Sequence, residues 1–476
     1  MEKLYQIFLL AFTGNFINTV KITKYLIMKR ILFFYILGCL MLLAVSANAQ
    51  KDSIQFTLKT CIEHSLKNNV NITIYANELE IAKKKKTEML SNILPQINGS
   101  VSFDDNLKRQ TTIFPANSFG PGTPESRMQM GSQFTSNGTV QIDQTIYDQS
   151  IFLAIGVTKV NSQISELKAI QNKEDLIYNT AMAYYQVLAI VEQRNLLVEN
   201  SKKYNELLAI IKLQYEKGLA TKTDYDRLKV NVNNINSQIT VLATNEKLAL
   251  NKLKNEMGID LTDTLYINKS IEANIILSIP QTEQFDANNK VEFKILNQNL
   301  FIQELEVKRK ESAYFPSLSG YARFGTQALS DNFNSATNKW DGFSSIGLKL
   351  SVPIFSGFRR NSQLGQSKLT LLNAKENMKL INRNYQLQFQ NSSTQLLSSY
   401  TSLIINKENL SLAKDVLESS QLQYQKGTAS LSDFLNSDYS YKEAQSNYII
   451  SLLNYLSGKL DYEKSQGTLN NYFQQL

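Results

Sequence analysis

One histidine and two cysteines serve the whole 476-residue chain. A lone His64 cannot supply a His-based triad or a multi-histidine metal site, and its helical surroundings make it a packing or surface residue. Cys39 falls in a leader that is removed, so Cys61 is left without a partner and no internal disulfide is expected; a free cysteine of this kind is a small buried apolar side chain. Proline and glycine are scarce, at 7 and 19. Asn, Gln, Ser, Leu and Lys fill long stretches without punctuation, which is the composition of very long helices and not of a string of ordinary domains. Gly120-Pro121-Gly122 is loop chemistry and no phosphate cradle, because no helix with Lys and Ser or Thr follows it. No stretch beyond residue 50 holds 18 consecutive apolar residues, so no helical span is expected after that point. A large basic surface is missing too. The formal charge of +8 includes five Lys or Arg against one Glu in residues 1–49, and falls to +4 without them, which gives no reason to expect a nucleic-acid partner. The run Lys83 to Lys86 is one basic cluster on a helix, ordinarily a solvated face.

The strongest apolar run, Ile31 to Val45, follows Met28-Lys29-Arg30 and precedes Ala47-Asn48-Ala49. Basic, apolar and small-residue parts in that order make 28–49 a secretory signal peptide with the mature chain beginning at Gln50. Residues 1–27 read as an upstream extension from an over-long start. A lipoprotein signal acylated at Cys39 is the rival, disfavoured because the apolar run continues past it. An exported chain without a helical span is periplasmic, secreted, or a β-barrel with a weak strand signature.

The rest of the sequence is one unit written twice. Leu213-Gln214-Tyr215-Glu216-Lys217-Gly218 recurs as Leu422-Gln423-Tyr424-Gln425-Lys426-Gly427 at an offset of 209, and Thr145-Ile146-Tyr147 matches Pro353-Ile354-Phe355 at 208. Leu94-Pro95 matches Phe315-Pro316 at 221, so the first copy carries 13 extra residues. They fall in or near Phe114 to Met130, which reads as a surface loop.

Within each copy a helix (Ile72 to Ile93; Val291 to Tyr314) stops at Pro95 or Pro316. Alternation at period two follows: Ile97, Gly99, Val101, Phe103, then Leu318, Gly320, Ala322, Phe324. It returns as Val140, Ile142, Ile146 and as Ile346, Leu348, Leu350, Val352, Ile354. These are strands apolar on one face, giving hairpins at about 96–147 and 317–355, two hairpins and four strands per chain. Four strands cannot close a barrel, and lipid does not tolerate open edges, so several chains must pool strands; three would give twelve.

Beyond each hairpin the period becomes helical. Gln149 to Lys217 is interrupted only by Gly156, and Arg359 to Lys426 only by Gly365. Gly218 and Gly427 end these helices. Thr221 with Asp224, and Ser430 with Asp433, can cap the next ones, about Thr223 to Met257 and Leu431 to Leu456. The domain reading is therefore a first repeat at 50–257 with its helical hairpin at 149–257, and a linker or side module at 258–289. A second repeat at 290–457 follows, with its helical hairpin at 359–457, and then a polar, peripheral tail at 458–476.

In this order, and in Tyr215, Gly218, Thr221, Asp224 and again Tyr424, Gly427, Ser430, Asp433, Leu435, the chain resembles the TolC outer-membrane factor family over roughly Phe56 to Leu460. The resemblance implies a mainly α fold with a β-barrel portion. It implies a homotrimer with a twelve-stranded outer-membrane barrel and a twelve-helix periplasmic tunnel, whose lipid-facing positions are Ile346, Leu348, Leu350 and Val352. It implies docking on a periplasmic adaptor and an inner-membrane pump or ABC exporter, with no cofactor and no catalysis. The hairpin turns would form the periplasmic entrance. Asp433 matches a position of the family's aspartate ring and Tyr424 a tyrosine of its closed-state contacts. Asn436 stands where a second aspartate is expected, and Ala429 where a latch arginine is. Three carboxylates around a constriction would attract cations, whereas Asp433 read locally is a helix N-cap residue. The competing class, a periplasmic coiled-coil structural or adhesive protein, accounts for the helices and leaves the one-sided hairpins unexplained.

Overall fold

The structure, a computed structural model, describes residues 56–267 and 284–475. The expected leader (28–49), the extension before it, and Ile275 to Pro280 of the linker lie outside the described residues. The chain divides into two units. In the smaller, Phe56 forms a parallel bridge with Ile267 and donates its N–H to the Tyr266 carbonyl at 2.9 Å.

The larger unit contains every named element. It begins with α1 (Leu58–Asn68) and α2 (Val70–Ser91), followed by strands β1 (Gln96–Asp105), β2 (Gln110–Phe114), β3 (Ser126–Met130) and β4 (Phe134–Tyr147). Next come α3 (Gln149–Glu216), α4 (Lys222–Met257), α5 (Val291–Ser312), β5 (Ser317–Ser330) and β6 (Asp341–Ser351). The chain closes with α6 (Arg359–Gln425), α7 (Leu431–Gln466) and α8 (Leu469–Gln475). α3 has 68 residues and α6 has 67, each about 100 Å long at 1.5 Å per residue. Such lengths survive because each is paired with a neighbour, α3 with α4 and α6 with α7.

β1, β4, β5 and β6 form one antiparallel sheet in the order β1-β4-β5-β6, so the two copies meet at β4 and β5 while β1 and β6 are left as edges. The registers place Ile97 opposite Ile142, Ile142 opposite Ala322, and Ala322 opposite Ile346. The apolar alternates of all four strands thus share one face, and Val101, Val140, Phe324, Ile346, Leu348 and Leu350 on it are exposed. The other face carries Ser100, Gln141, Arg323 and Lys349, with Ser100 and Thr139 hydroxyls 2.7 Å apart.

Three expectations need correction. Val352 lies beyond β6, because Pro353 has no N–H to continue the ladder. The stretch Phe114 to Met130 is not only loop: β3 pairs with β2 in a two-stranded ribbon, which the β-forming Thr111, Thr112, Ile113 and Phe114 support. The segment 458–476 is not a peripheral tail. α7 continues to Gln466, Gly467 caps it in the left-handed conformation, and Leu460, Tyr462 and Leu469 are buried.

Candidate functional site

The two helical-hairpin turns are built alike. After α3 the Gly218 N–H donates to the Tyr215 carbonyl (2.9 Å) and the Leu219 N–H to Gln214 (2.8 Å); after α6 Gly427 donates to Tyr424 (3.0 Å) and Thr428 to Gln423 (3.0 Å). Both glycines have positive φ, +75° and +74°, as the motif needs. Thr221 then caps α4, its hydroxyl accepting from the Asp224 N–H at 3.1 Å and donating to the Asp224 carboxylate at 2.7 Å. Ser430 and Asp433 make the full reciprocal capping box on α7. The Ser430 hydroxyl, and then its backbone N–H, hold the Asp433 carboxyl below the usual carboxylate range. Asp433 is therefore a cap and also an exposed anion. Asn436, one turn further along α7, is exposed beside it.

Each turn also carries an aromatic stack at the same duplicated positions. Tyr215 lies on Tyr225 with centroids 6.0 Å apart, and Tyr424 on Phe434 at 5.9 Å. Tyr424 and Leu435 pack against the buried clusters of both hairpins, the one around Ile211 and Leu228 and the one around Leu417 and Leu431. Between the hairpin ends lies a cavity of about 860 Å³ that brings together Asp224, Tyr424, Gly427 and Ser430. Partial burial, and then the Asp224 charge, push the Tyr424 hydroxyl pKa up. Tyr215, Gly218, Thr221, Asp433 and Asn436 do not line this cavity.

Tyr204 and Asp438, which also line this cavity, belong to a polar clasp that the sequence reading missed. The Tyr204 hydroxyl donates to the buried Asp438 carboxylate, and Lys442 completes it, its Nζ 2.7 Å from Asp438 and 3.8 Å from the Tyr204 ring centroid. Further along α3, Asn200 donates to Gln445 at 3.1 Å and Arg194 pairs with Glu246 at 2.6 Å. The signal for Asp438 was present. It stands in the stripe Leu431, Phe434, Asp438, where a charged group at a core position requires a partner. His64 packs beside the end of α4, its Nδ1 3.1 Å from the Met257 carbonyl oxygen. Cys61 is fully buried, and burial pushes its thiol up to about 12. Among the described residues no group of three or more His, Cys, Asp or Glu side chains is placed to hold a metal ion.

Comparison with known proteins agrees with this architecture. The chain is 23% identical over 357 residues to the outer membrane protein TolC of Escherichia coli (strain K12), covering 70% of each. It is 21% identical over 422 residues to TolC of Vibrio cholerae, covering 85% of this chain and 89% of the relative. Among solved structures, the Campylobacter jejuni CmeC outer membrane channel superposes with a TM-score of 0.68 at 18% identity, over 88% of both chains. CusC superposes at 0.70 and 15% identity, over 87% of this chain and 92% of that one. The family profile described as "Outer membrane efflux protein" matches residues 61–258 and 303–457, and the chain belongs to that family.

Proposed function

We propose that three copies of this outer-membrane efflux channel subunit pool their sheets into one closed barrel and their helical hairpins into one periplasmic tube, forming a passive exit duct. The observation that carries the reading is the sheet: four strands with two open edges and one exposed apolar face. Pairing β6 of one copy with β1 of the next closes both edges of this sheet and turns the apolar face, with Ile346, Leu348 and Leu350, toward lipid. The helices support the same assembly. α6 leaves Leu369, Leu372, Leu380, Leu387, Leu412 and Val416 a little over half exposed in a single chain, each worth about 1–2 kcal/mol when covered, roughly half the value of full burial.

The barrel lies in the outer membrane and the helices in the periplasm, and the channel works with an adaptor and an inner-membrane pump that supplies the energy. One relative, AprF of Pseudomonas aeruginosa, is by name an alkaline protease secretion protein, so polypeptide export stands beside small-molecule efflux as cargo. At the periplasmic entrance, Asp224 and Tyr424 with Gly427 and Ser430 border the cavity between the two hairpins of a subunit, while the exposed Asp433 and Asn436 present an acidic and a neutral polar position to the passage. Three Asp433 carboxylates would attract cations, more weakly than a double aspartate ring because Asn436 adds no charge.

Electron microscopy of the detergent-extracted protein tests the assembly: a threefold tube with a stalk of about 100 Å, as the helix lengths require, is expected. Short monomeric or dimeric particles from the soluble periplasmic fraction would overturn it in favour of a coiled-coil scaffold.

A further inference from the structure

Between β6 and α6 the chain passes from strand to helix through Val352 to Phe358, and this junction is unusually bare. Ile354 is 93% exposed, Phe355 76% and Phe358 73%. Phe355 and Phe358 meet edge to face with centroids 5.7 Å apart. Phe358 has φ +62°, directly after Gly357 at +59°. A bulky residue in the left-handed region is disfavoured, yet here it displays a large ring away from the protein. Among the described residues the ring meets Phe355, and the further surroundings that would reward this conformation lie beyond them.

The charge pattern says what those surroundings are. From Gly342 to Lys375 there is no Asp or Glu, while Lys349, Arg359, Arg360, Lys368 and Lys375 are present. Lys368 pairs with Glu311 at 3.6 Å. Arg360 donates to the Pro353 carbonyl at 3.1 Å and lies over the Tyr314 ring at 5.8 Å, and it makes no ion pair among the described residues. Arg359 is exposed. The corresponding junction of the first copy is built differently: Asp148 stands there and caps α3 through the Ser150 N–H at 2.8 Å. The second junction is thus both cationic and ringed by exposed aromatics. It sits where the exposed aliphatic face of β6 gives way to periplasmic helix, the depth at which headgroups meet acyl chains.

We propose that Arg359 and Arg360, framed by Phe355, Phe358 and Tyr314, seat the phosphate of an anionic phospholipid in the periplasmic leaflet of the outer membrane. The rings occupy the boundary between headgroup and hydrocarbon, where amphipathic and aromatic side chains concentrate, and the two guanidinium groups face the phosphate, Arg359 free and Arg360 oriented by Pro353 and Tyr314. A lipid is favoured over free phosphate because the seat is continuous with an exposed apolar surface and encloses nothing. This rests on the channel reading, since only a membrane-inserted sheet puts the junction at headgroup depth.

The test uses the full-length protein, purified as its assembled oligomer, and compares retention of phosphatidylglycerol and phosphatidylcholine by native mass spectrometry, with inorganic phosphate as a separate arm. Wild-type protein is expected to prefer phosphatidylglycerol. R359Q/R360Q is expected to lose about 30-fold of that preference, at about fivefold per basic side chain near an anionic surface. R359K/R360K should keep most of it, and Lys407→Gln, on α6 away from the junction, should change nothing. Equal retention of the two lipids by the wild type overturns the proposal, whatever the variants do, as does an R359Q/R360Q protein with undiminished preference. Displacement of phosphatidylglycerol by inorganic phosphate alone would also overturn it, by showing a simple anion site. An oligomer that inserts into membranes without headgroup preference refutes the lipid seat and leaves the channel standing; a chain that never inserts refutes the channel itself.

Discussion

Replacing Gly467 by alanine should damage this protein far more than replacing Gly427, although both glycines end a helix at positive φ, +81° and +74°. Leaving glycine costs each site the left-handed penalty, roughly 1–2 kcal/mol. At Gly427 that is the whole cost, since nothing lies within 4 Å of an added Cβ. At Gly467 the Cβ would stand 2.8 Å from the Asn289 carbonyl carbon and 2.9 Å from its oxygen. These are backbone atoms that cannot rotate aside, and overpacking of this kind adds about 1–3 kcal/mol. Gly427→Ala should therefore cost roughly 1–2 kcal/mol and Gly467→Ala roughly 2–5 kcal/mol by these two contributions. The same contrast holds in the first copy. Gly218 is open, while a Cβ on Gly258 would meet the Asn68 carbonyl oxygen at 2.6 Å. The assay is thermal loss of helix signal by circular dichroism on the detergent-solubilised oligomer. All four variants are heated at one scan rate, because large assemblies unfold irreversibly. Equal shifts for Gly427→Ala and Gly467→Ala would refute the reasoning.

Three further outcomes follow from the geometry. Leu348→Arg should deplete assembled protein from the outer membrane, approaching the roughly 2–4 kcal/mol of a cation facing lipid at mid-bilayer, and Leu350→Arg, one residue from the end of β6, should do so less because that cost falls toward the interface, whereas Lys349→Glu on the opposite face should assemble; tolerance at all three positions in membrane fractionation would deny that this face meets lipid. Asp438→Ala should destabilise by about 3–5 kcal/mol because it strands the Lys442 ammonium, and denaturation of the single and double variants with Tyr204→Phe should show non-additivity; strict additivity would mean that the clasp is no unit. The third concerns pH. Burial first, then the Glu292 and Asp175 charges, push the Glu174 carboxyl up to about 7 against the partial relief of Lys290 and Lys294, while Asn470 donates to it at 2.7 Å. The folded state then holds a proton that the unfolded state releases at its ordinary value of 4.5. The contribution of this group to stability falls as pH rises from there to about 7 and levels off above. Glu174→Gln should flatten that slope, and a melting profile just as steep in the variant would remove Glu174 as its source.

The duplication makes most of this architecture legible, and it also corrects the boundary at 458. The hexapeptide offset of 209 that aligned Gly218 with Gly427 also aligns Gly258 with Gly467, and both end 36-residue helices, α4 and α7. Gly458 drew the boundary too early. It is an interior helix residue facing Leu396 and Ser399, where a small side chain lets two helices approach. At the turns, the caps were readable because Thr221, Ser430 and their aspartates act within four residues of sequence. The Tyr204, Asp438 and Lys442 clasp was not, since it joins residues 234 apart and depends on how two helical hairpins are rotated against each other, which no local pattern fixes.

The same duplication separates geometry from chemistry. α2 and α5 begin against the ends of α4 and α7 in matching ways: Asn69 donates to the Glu256 carbonyl at 2.8 Å, and Lys290 to those of Lys464 and Ser465 at 3.2 and 3.3 Å. A neutral amide serves one joint and a buried cation the other, the latter favoured by the negative end of the α7 dipole. Asp224 and Asp433 diverge likewise. They occupy equivalent positions, yet Asp224 borders the cavity and bears on Tyr424, while Asp433 is exposed and bound only to its own cap. In a threefold assembly of such subunits, carboxylates of the two kinds would alternate around the entrance, one set bordering the cavity between hairpins and the other facing the passage. Neutralising the exposed Asp433 should then alter ion preference more than neutralising Asp224, which is half-buried beside the cavity. Single-channel recordings separate the two, and an identical phenotype for both variants would mean that the hairpins contribute equivalently after all.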